Sequence, residues 1–256
     1  MRQLTAFTKK EFIESARTGK MLILMILFIL FGIMNPAIAK LTPWLMEIMS
    51  QSLSDAGFSL TQTEVNALTS WTQFYKNIPL ACIIFLLMFS NTLTAEYQNG
   101  TLINMMTKGL DRWKIIVSKI LTVTALWTLG YWICYGITYG YNAFFWDNHI
   151  AAHLLFSAFC FYLFGVWMIS LIILMSSFLR SSSAVLIAAG GVFLIIYLSG
   201  LLPDVKKYLP AQLLNSSGLL AGMNMVSEYL PAVIVTIALS ILNMAAAIII
   251  FRYQEI

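Results

Sequence analysis

Apolar residues in this chain fall into six long runs, and polar residues collect in the stretches between them. Roughly 20 apolar residues in a helix cross a bilayer. Segments 21–39, 75–95, 115–139, 151–178, 183–202 and 231–251 meet that requirement. None alternates with the period of two of a membrane barrel strand, whereas a helix satisfies its own backbone groups in lipid. The pattern predicts an all-α integral membrane protein of six transmembrane helices, built as one domain over residues 1–256. Pro231 is placed for the first turn of the sixth span, where a missing amide N–H matters least.

The connecting stretches have their own patterns. In residues 1–20, Leu4, Phe7, Phe12 and Ala16 share one side of a helix, with Lys9, Lys10 and Arg17 mostly opposite and Glu11 interrupting the apolar side. That predicts an N-terminal helix lying in the membrane interface. Residues 40–74 read as an outer loop broken by Pro43 and Gly57, with Trp44 and Trp71 as interface anchors and a short surface helix over 44–53. In 96–114, Asn99-Gly100 turns the chain, 101–108 forms a short helix and Gly109 stops it. Leu102, Met105 and Met106 give that helix an apolar side, suited either to docking a soluble partner or to resting on the bilayer. Residues 203–230 predict a half-inserted outer segment of short helices before the last span.

Charge sets the orientation. Of 15 basic residues, 11 fall on the side of the two termini and 4 on the other. The positive-inside rule then puts both termini in the cytoplasm of a plasma-membrane protein. The net charge of +4 is explained by this bias, and no basic cluster stands clear of the spans, so nucleic acid is not an expected partner. The stretch before Ala37-Ile38-Ala39 resembles a signal peptide, but its apolar and basic parts are both longer than usual, and a retained span is expected.

Composition removes whole classes. The chain is 60% apolar and 10% charged, against about 25% charged in soluble domains. An ordinary soluble enzyme, a disordered chain and a disulfide scaffold are excluded. Cys82, Cys134 and Cys160 have neither the number nor the spacing of a disulfide framework or a zinc site.

Candidate chemistry is sparse. No ionisable residue sits near the middle of a span, where one usually marks an ion or proton path. No phosphate-binding loop and no H-E-x-x-H occurs, so ATP hydrolysis and zinc catalysis are not expected of this chain. His149 and His153, with Asp147 nearby, are two interfacial histidines rather than a metal site, since no further ligand is evident. Asn243 and Ser170 are expected to bond between helices. Among many aromatic and methionine side chains, Phe85, Met88, Phe89, Phe193 and Tyr197 are candidates to line an adaptable apolar cavity. Gly130, Gly136, Gly140, Gly190 and Gly191 are candidates for close helix approach.

With these features in place, the layout resembles the membrane subunit of an ABC-2 type exporter. The resemblance covers nearly the whole chain. Its most specific part is Glu96-x-x-x-Gly100-Thr101-Leu102, followed by Arg112 and Lys119. The chain departs from the family at Lys108-Gly109-Leu110-Asp111, where a Pro-hydrophobic-Ser/Thr turn is common. The resemblance implies a coupling helix over 100–108 and an elbow helix at 1–18. ATPase coupling would fall to Glu96, Asn99, Gly100, Thr101, Leu102, Met105, Arg17 and Arg180. It implies that Glu96 pairs with Arg17 or Lys119. It also implies a separate cytoplasmic ATPase holding ATP and Mg, and a second permease subunit forming a homodimer in the lipid bilayer. The substrate cavity would lie at the dimer interface, lined by the first, second and fifth spans. A bacterial exporter of amphipathic peptides, similar in size to those for phenol-soluble modulins, is favoured over one for lipids or drugs. The alternatives are a secondary transporter or channel, an intramembrane enzyme, and a membrane immunity protein that sequesters a peptide.

Overall fold

A computed structural model describes residues 2–54, 65–107, 109, 111–215 and 217–253. The expected turn at 108–111 is thus only partly described, with Lys108 and Leu110 outside the described residues, as is Ser216 in the outer segment. The chain is 85% helical, and no strand occurs among the described residues. The helices are α1 (Arg2–Arg17), α2 (Lys20–Ser54), α3 (Ala67–Phe89), α4 (Thr94–Gln98), α5 (Thr101–Thr107), α6 (Arg112–Phe145), α7 (Leu154–Ser176), α8 (Ser182–Ser199), α9 (Pro203–Lys206), α10 (Ser217–Leu220) and α11 (Val226–Tyr253). Six of these are long and apolar enough to span a membrane: α2, α3 with its extension to Gln98, α6, α7, α8 and α11.

The spans outrun their apolar cores. α2 does not stop at residue 39 but continues as a helix through Pro36 and Pro43 to Ser54, so 40–54 is helix and not loop. A proline inside a helix removes one backbone hydrogen bond and frees the carbonyl four residues earlier. At Pro36 that carbonyl belongs to Gly32, and the Thr138 hydroxyl of α6 donates to it at 3.0 Å. α3 likewise begins at Ala67, eight residues before its apolar run, because the Asn66 side chain caps it by accepting from the Thr69 amide. Pro231 is the sixth residue of α11, not in its first turn, so it too interrupts an established helix.

α6 is the hub, packing against α1, α2, α3, α7 and α11. Close contact is set by two glycines. A Cβ on Gly130 would overlap the Phe28 ring of α2, and one on Gly165 of α7 would overlap the Trp127 ring. Gly136, Gly140, Gly190 and Gly191 instead face open space, so the expected close approach at those four is not found. Around Trp127 the interior is aromatic: its ring centroid lies 5.3 Å from Phe85, 5.8 Å from Phe28 and 5.5 Å from Tyr131. Trp127 donates from Nε1 to the Tyr162 carbonyl, and Tyr131 donates to the Ala158 carbonyl. The three cysteines are buried and unpaired. Asn243 of α11 donates to Ser170 of α7, the interhelical role expected of both.

α8 is the exception to this packing. Only Val185 and Ala189 are buried, while Ile187, Leu194, Ile195, Leu198 and Leu201 stay exposed on and beyond its far side. α2 carries a similar exposed stripe through Leu22, Ile26, Ile29 and Ile33. The segment before α11 is a chain of short pieces, α9, a 3-10 turn at Pro210–Leu214 and α10, which buries Pro210, Leu213, Leu219 and Leu220 against the bundle.

Candidate functional site

One end of the bundle holds a buried group of charges where α1, α4 and α6 meet. α1 is folded so that Leu4, Phe7 and Glu11 face inward. Phe7 and Glu11 are four residues apart, one above the other on a helix face. The residue that interrupts the apolar stripe is therefore carried into the protein with it. Glu96 is delivered by α4, a single turn that follows a break at Ser90–Leu93. Lys119 comes from the third turn of α6.

The three side chains form one bridge. Lys119 Nζ lies 3.1 Å from Glu11 Oε2 and 3.0 Å from Glu96 Oε1, and its side chain is 4% exposed. Lys10 closes the group from the rim, 3.0 Å from Glu11 Oε1, 2.6 Å from Glu14 Oε2 and 3.6 Å from Glu96 Oε1. Burial works against the charge on Lys10, but its hydrogen bond to Glu14 and the facing carboxylates outweigh it and raise its pKa. The bond from Lys10 holds the Glu14 carboxyl below its usual range. A buried charge is tolerated only when paired and hydrogen-bonded, so removing one member strands the others. One lysine thus fastens the first helix to the Glu96 turn through two carboxylates.

The expected partner of Glu96 is resolved by this geometry. Lys119 takes the role, with Lys10 as a second contact, while Arg17 lies exposed at the end of α1. Glu11 and Lys10 were not among the candidates. The signal for Glu11 was its place four residues after Phe7.

Beyond Glu96 the chain turns at Asn99-Gly100. Gly100 has φ +65°, a left-handed conformation in which glycine is favoured. The Thr101 hydroxyl reaches back to the Glu96 carbonyl at 3.4 Å. Leu102 is fully buried, and Met105 and Met106 pack half-buried on the core. The described apolar side chains of α5 therefore face the protein, rather than a soluble partner or the bilayer, the two alternatives that the pattern offered. Among the described side chains of α5 and its flanks, Gln98, Asn99 and Thr107 are exposed. Arg180 sits beside them, its carbonyl accepting from Gln98 Nε2 at 3.3 Å. Glu96, Asn99, Gly100, Thr101, Leu102, Met105 and Arg180 thus gather at one end of the bundle.

The cavity candidates separate into two groups. Phe85 and Phe89 stack 4.7 Å apart inside the protein, where with Ile169 and Ile173 they line a void of about 20 Å³. Met88 is half-buried beside them. Phe193 and Tyr197 lie 5.9 Å apart on α8, and Tyr197 is about half exposed. Tyr197 lines a different cleft, with Gly200, Lys206 and Asn215. His149 and His153 line a separate cleft at the other end of the bundle with Tyr135 and Tyr139. No group of three metal-ligating residues occurs among the described residues.

A family model described as "ABC-2 family transporter protein" matches residues 5–247. No curated protein matches the chain.

Proposed function

The chain belongs to the ABC-2 family of transporter proteins and so is the multi-pass membrane subunit of an ABC transporter that works with an ABC ATPase; from that premise we propose that it is an export permease driven through its α4–α5 turn. The observation that carries the reading is the Glu11–Lys119–Glu96 bridge. A separate ATPase subunit holds ATP and Mg and presses on the turn at the exposed Gln98, Asn99 and Thr107. The push reaches Glu96, and through Lys119 it reaches α6 and α1 together. Both termini are cytoplasmic in a bacterial plasma membrane, which puts the bridge at the inner surface.

Aromatic rings fill the described interior around Trp127, so the path is placed along the outside of the bundle. The exposed faces of α2 and α8 supply that outside, and a second copy of the chain covers it to form a homodimer. Phe193 and Tyr197 then border the path, while Phe85, Met88 and Phe89 back it from within. An amphipathic, membrane-seeking substrate suits such an apolar wall, and a peptide suits it best. Mild extraction of the tagged chain from its native membrane tests the reading. It should bring down a stoichiometric soluble ATPase with a phosphate-binding loop, and lose it when Asn99 and Thr107 are changed. A chain that purifies alone, with no nucleotide-dependent transport, would overturn it.

A further inference from the structure

Beside the bridge is a cavity of about 340 Å³ between α1, the start of α2, α4 and α6. A single water occupies about 30 Å³ in the liquid, so the space suits a small polar group with its hydration. Its charged lining is balanced: Lys10, Lys20 and Lys119 against Glu11, Glu14 and Glu96. The two signs are not equally spent. Lys119 and Lys10 are taken up by carboxylates. Lys20 has a neutral partner, the Asn91 amide oxygen at 2.9 Å, and lies 5.9 Å above the Phe89 ring. On the acceptor side, Glu96 Oε2 is buried with no hydrogen-bond partner, and the Thr122 hydroxyl, on a residue 3% exposed, is equally unpartnered. Phe89, Met105 and Val123 add an apolar wall.

We infer that this cavity binds a zwitterionic phosphoethanolamine head group, its phosphate on Lys20 and its primary ammonium at Glu96 and Glu14. A lone anion would meet three carboxylates, and a lone cation would meet three ammonium groups. A zwitterion leaves the site neutral, with its ammonium facing the Glu14 and Glu96 side chains that line the cavity. The inference rests on the proposed placement of α1 at the inner membrane surface, where such head groups are found.

The test is native mass spectrometry of the full chain in mixed micelles containing phosphatidylethanolamine, phosphatidylcholine or phosphatidylglycerol. Phosphatidylethanolamine should be retained about tenfold better than either other lipid, the size of one lost charge-assisted contact. Phosphatidylcholine has the same phosphate, but its quaternary ammonium has no N–H to donate. Glu14→Gln should abolish the preference over phosphatidylcholine, Lys20→Gln should weaken retention of all three lipids together, and Lys9→Gln, outside the cavity, should change neither. Competition by soluble phosphoethanolamine would identify the head group alone as the ligand, and its failure to compete would identify the lipid. Equal retention of the three lipids, a preference that survives Glu14→Gln, or retention that is unaffected by Lys20→Gln overturns the inference. The readout needs no ATPase, so its failure leaves the export reading standing.

Discussion

Thr138 donates its hydroxyl to the Gly32 carbonyl across the α2–α6 contact, and that carbonyl is the one Pro36 leaves without an amide partner. Thr138→Val should therefore cost about 1–3 kcal/mol, the penalty of an unsatisfied buried acceptor. In a Pro36→Ala background the new amide can take the carbonyl, and the same substitution should cost much less. Thermal unfolding of the four variants in detergent checks this. An equal cost in both backgrounds would show that the hydroxyl is not compensating for the proline.

Lys119→Met should be the most damaging substitution at the buried bridge. It removes the buried cation that Glu11 and Glu96 share and leaves them with only Lys10 at the rim, a loss of about 3–5 kcal/mol. Adding Glu11→Gln and Glu96→Gln should restore most of the stability, because the uncompensated charges are then gone. Denaturant titration followed by tryptophan fluorescence would show the recovery.

Glu96→Gln should separate force transmission from assembly. The variant should still assemble with the ATPase and hydrolyse ATP, while substrate movement into vesicles falls by at least about tenfold, the weight of one charge-assisted contact. Unchanged export would remove Glu96 from the coupling path.

A buried glycine and an exposed one should behave oppositely. Gly165→Ala pushes a methyl group into the Trp127 ring and should cost about 1–3 kcal/mol, as overpacking does. Gly190→Ala points into open space and should be neutral or stabilising by up to about 1 kcal/mol, since alanine is the better helix former. If α8 meets a second copy of the chain, Gly190→Leu should shift the protein from dimer towards monomer in light scattering without lowering the stability of the fold.

The six spans were legible because each needs a long apolar run, and no soluble packing would hide so many. Their ends were not, because ends are decided by contacts that the pattern does not carry. Pro43 reads as a break, yet the helix passes through it. The start of α3 depends on a cap from Asn66, a residue of no distinction in the sequence. At the site, the pairing of Glu96 with Lys119 could be named in advance, but only as one of two choices with Arg17. Glu11 read as a flaw in an amphipathic stripe. A carboxylate becomes a fastening only when a lysine from elsewhere in the chain arrives opposite it, and 108 residues separate Glu11 from Lys119.

The length of α2 carries a mechanical consequence. Its 35 residues make a rod of about 52 Å at 1.5 Å per residue, well beyond the ~30 Å hydrocarbon core. Near one end it is pinned where Lys20 grips Asn91. A pivot of about 10° at that pin would swing the far tip through about 9 Å, by the geometry of a rigid rod of this length. The same pivot moves α2 by about 5 Å at the opposite membrane face and by nearly a helix's width at its tip, so a small rotation at the pinned end is amplified beyond the bilayer.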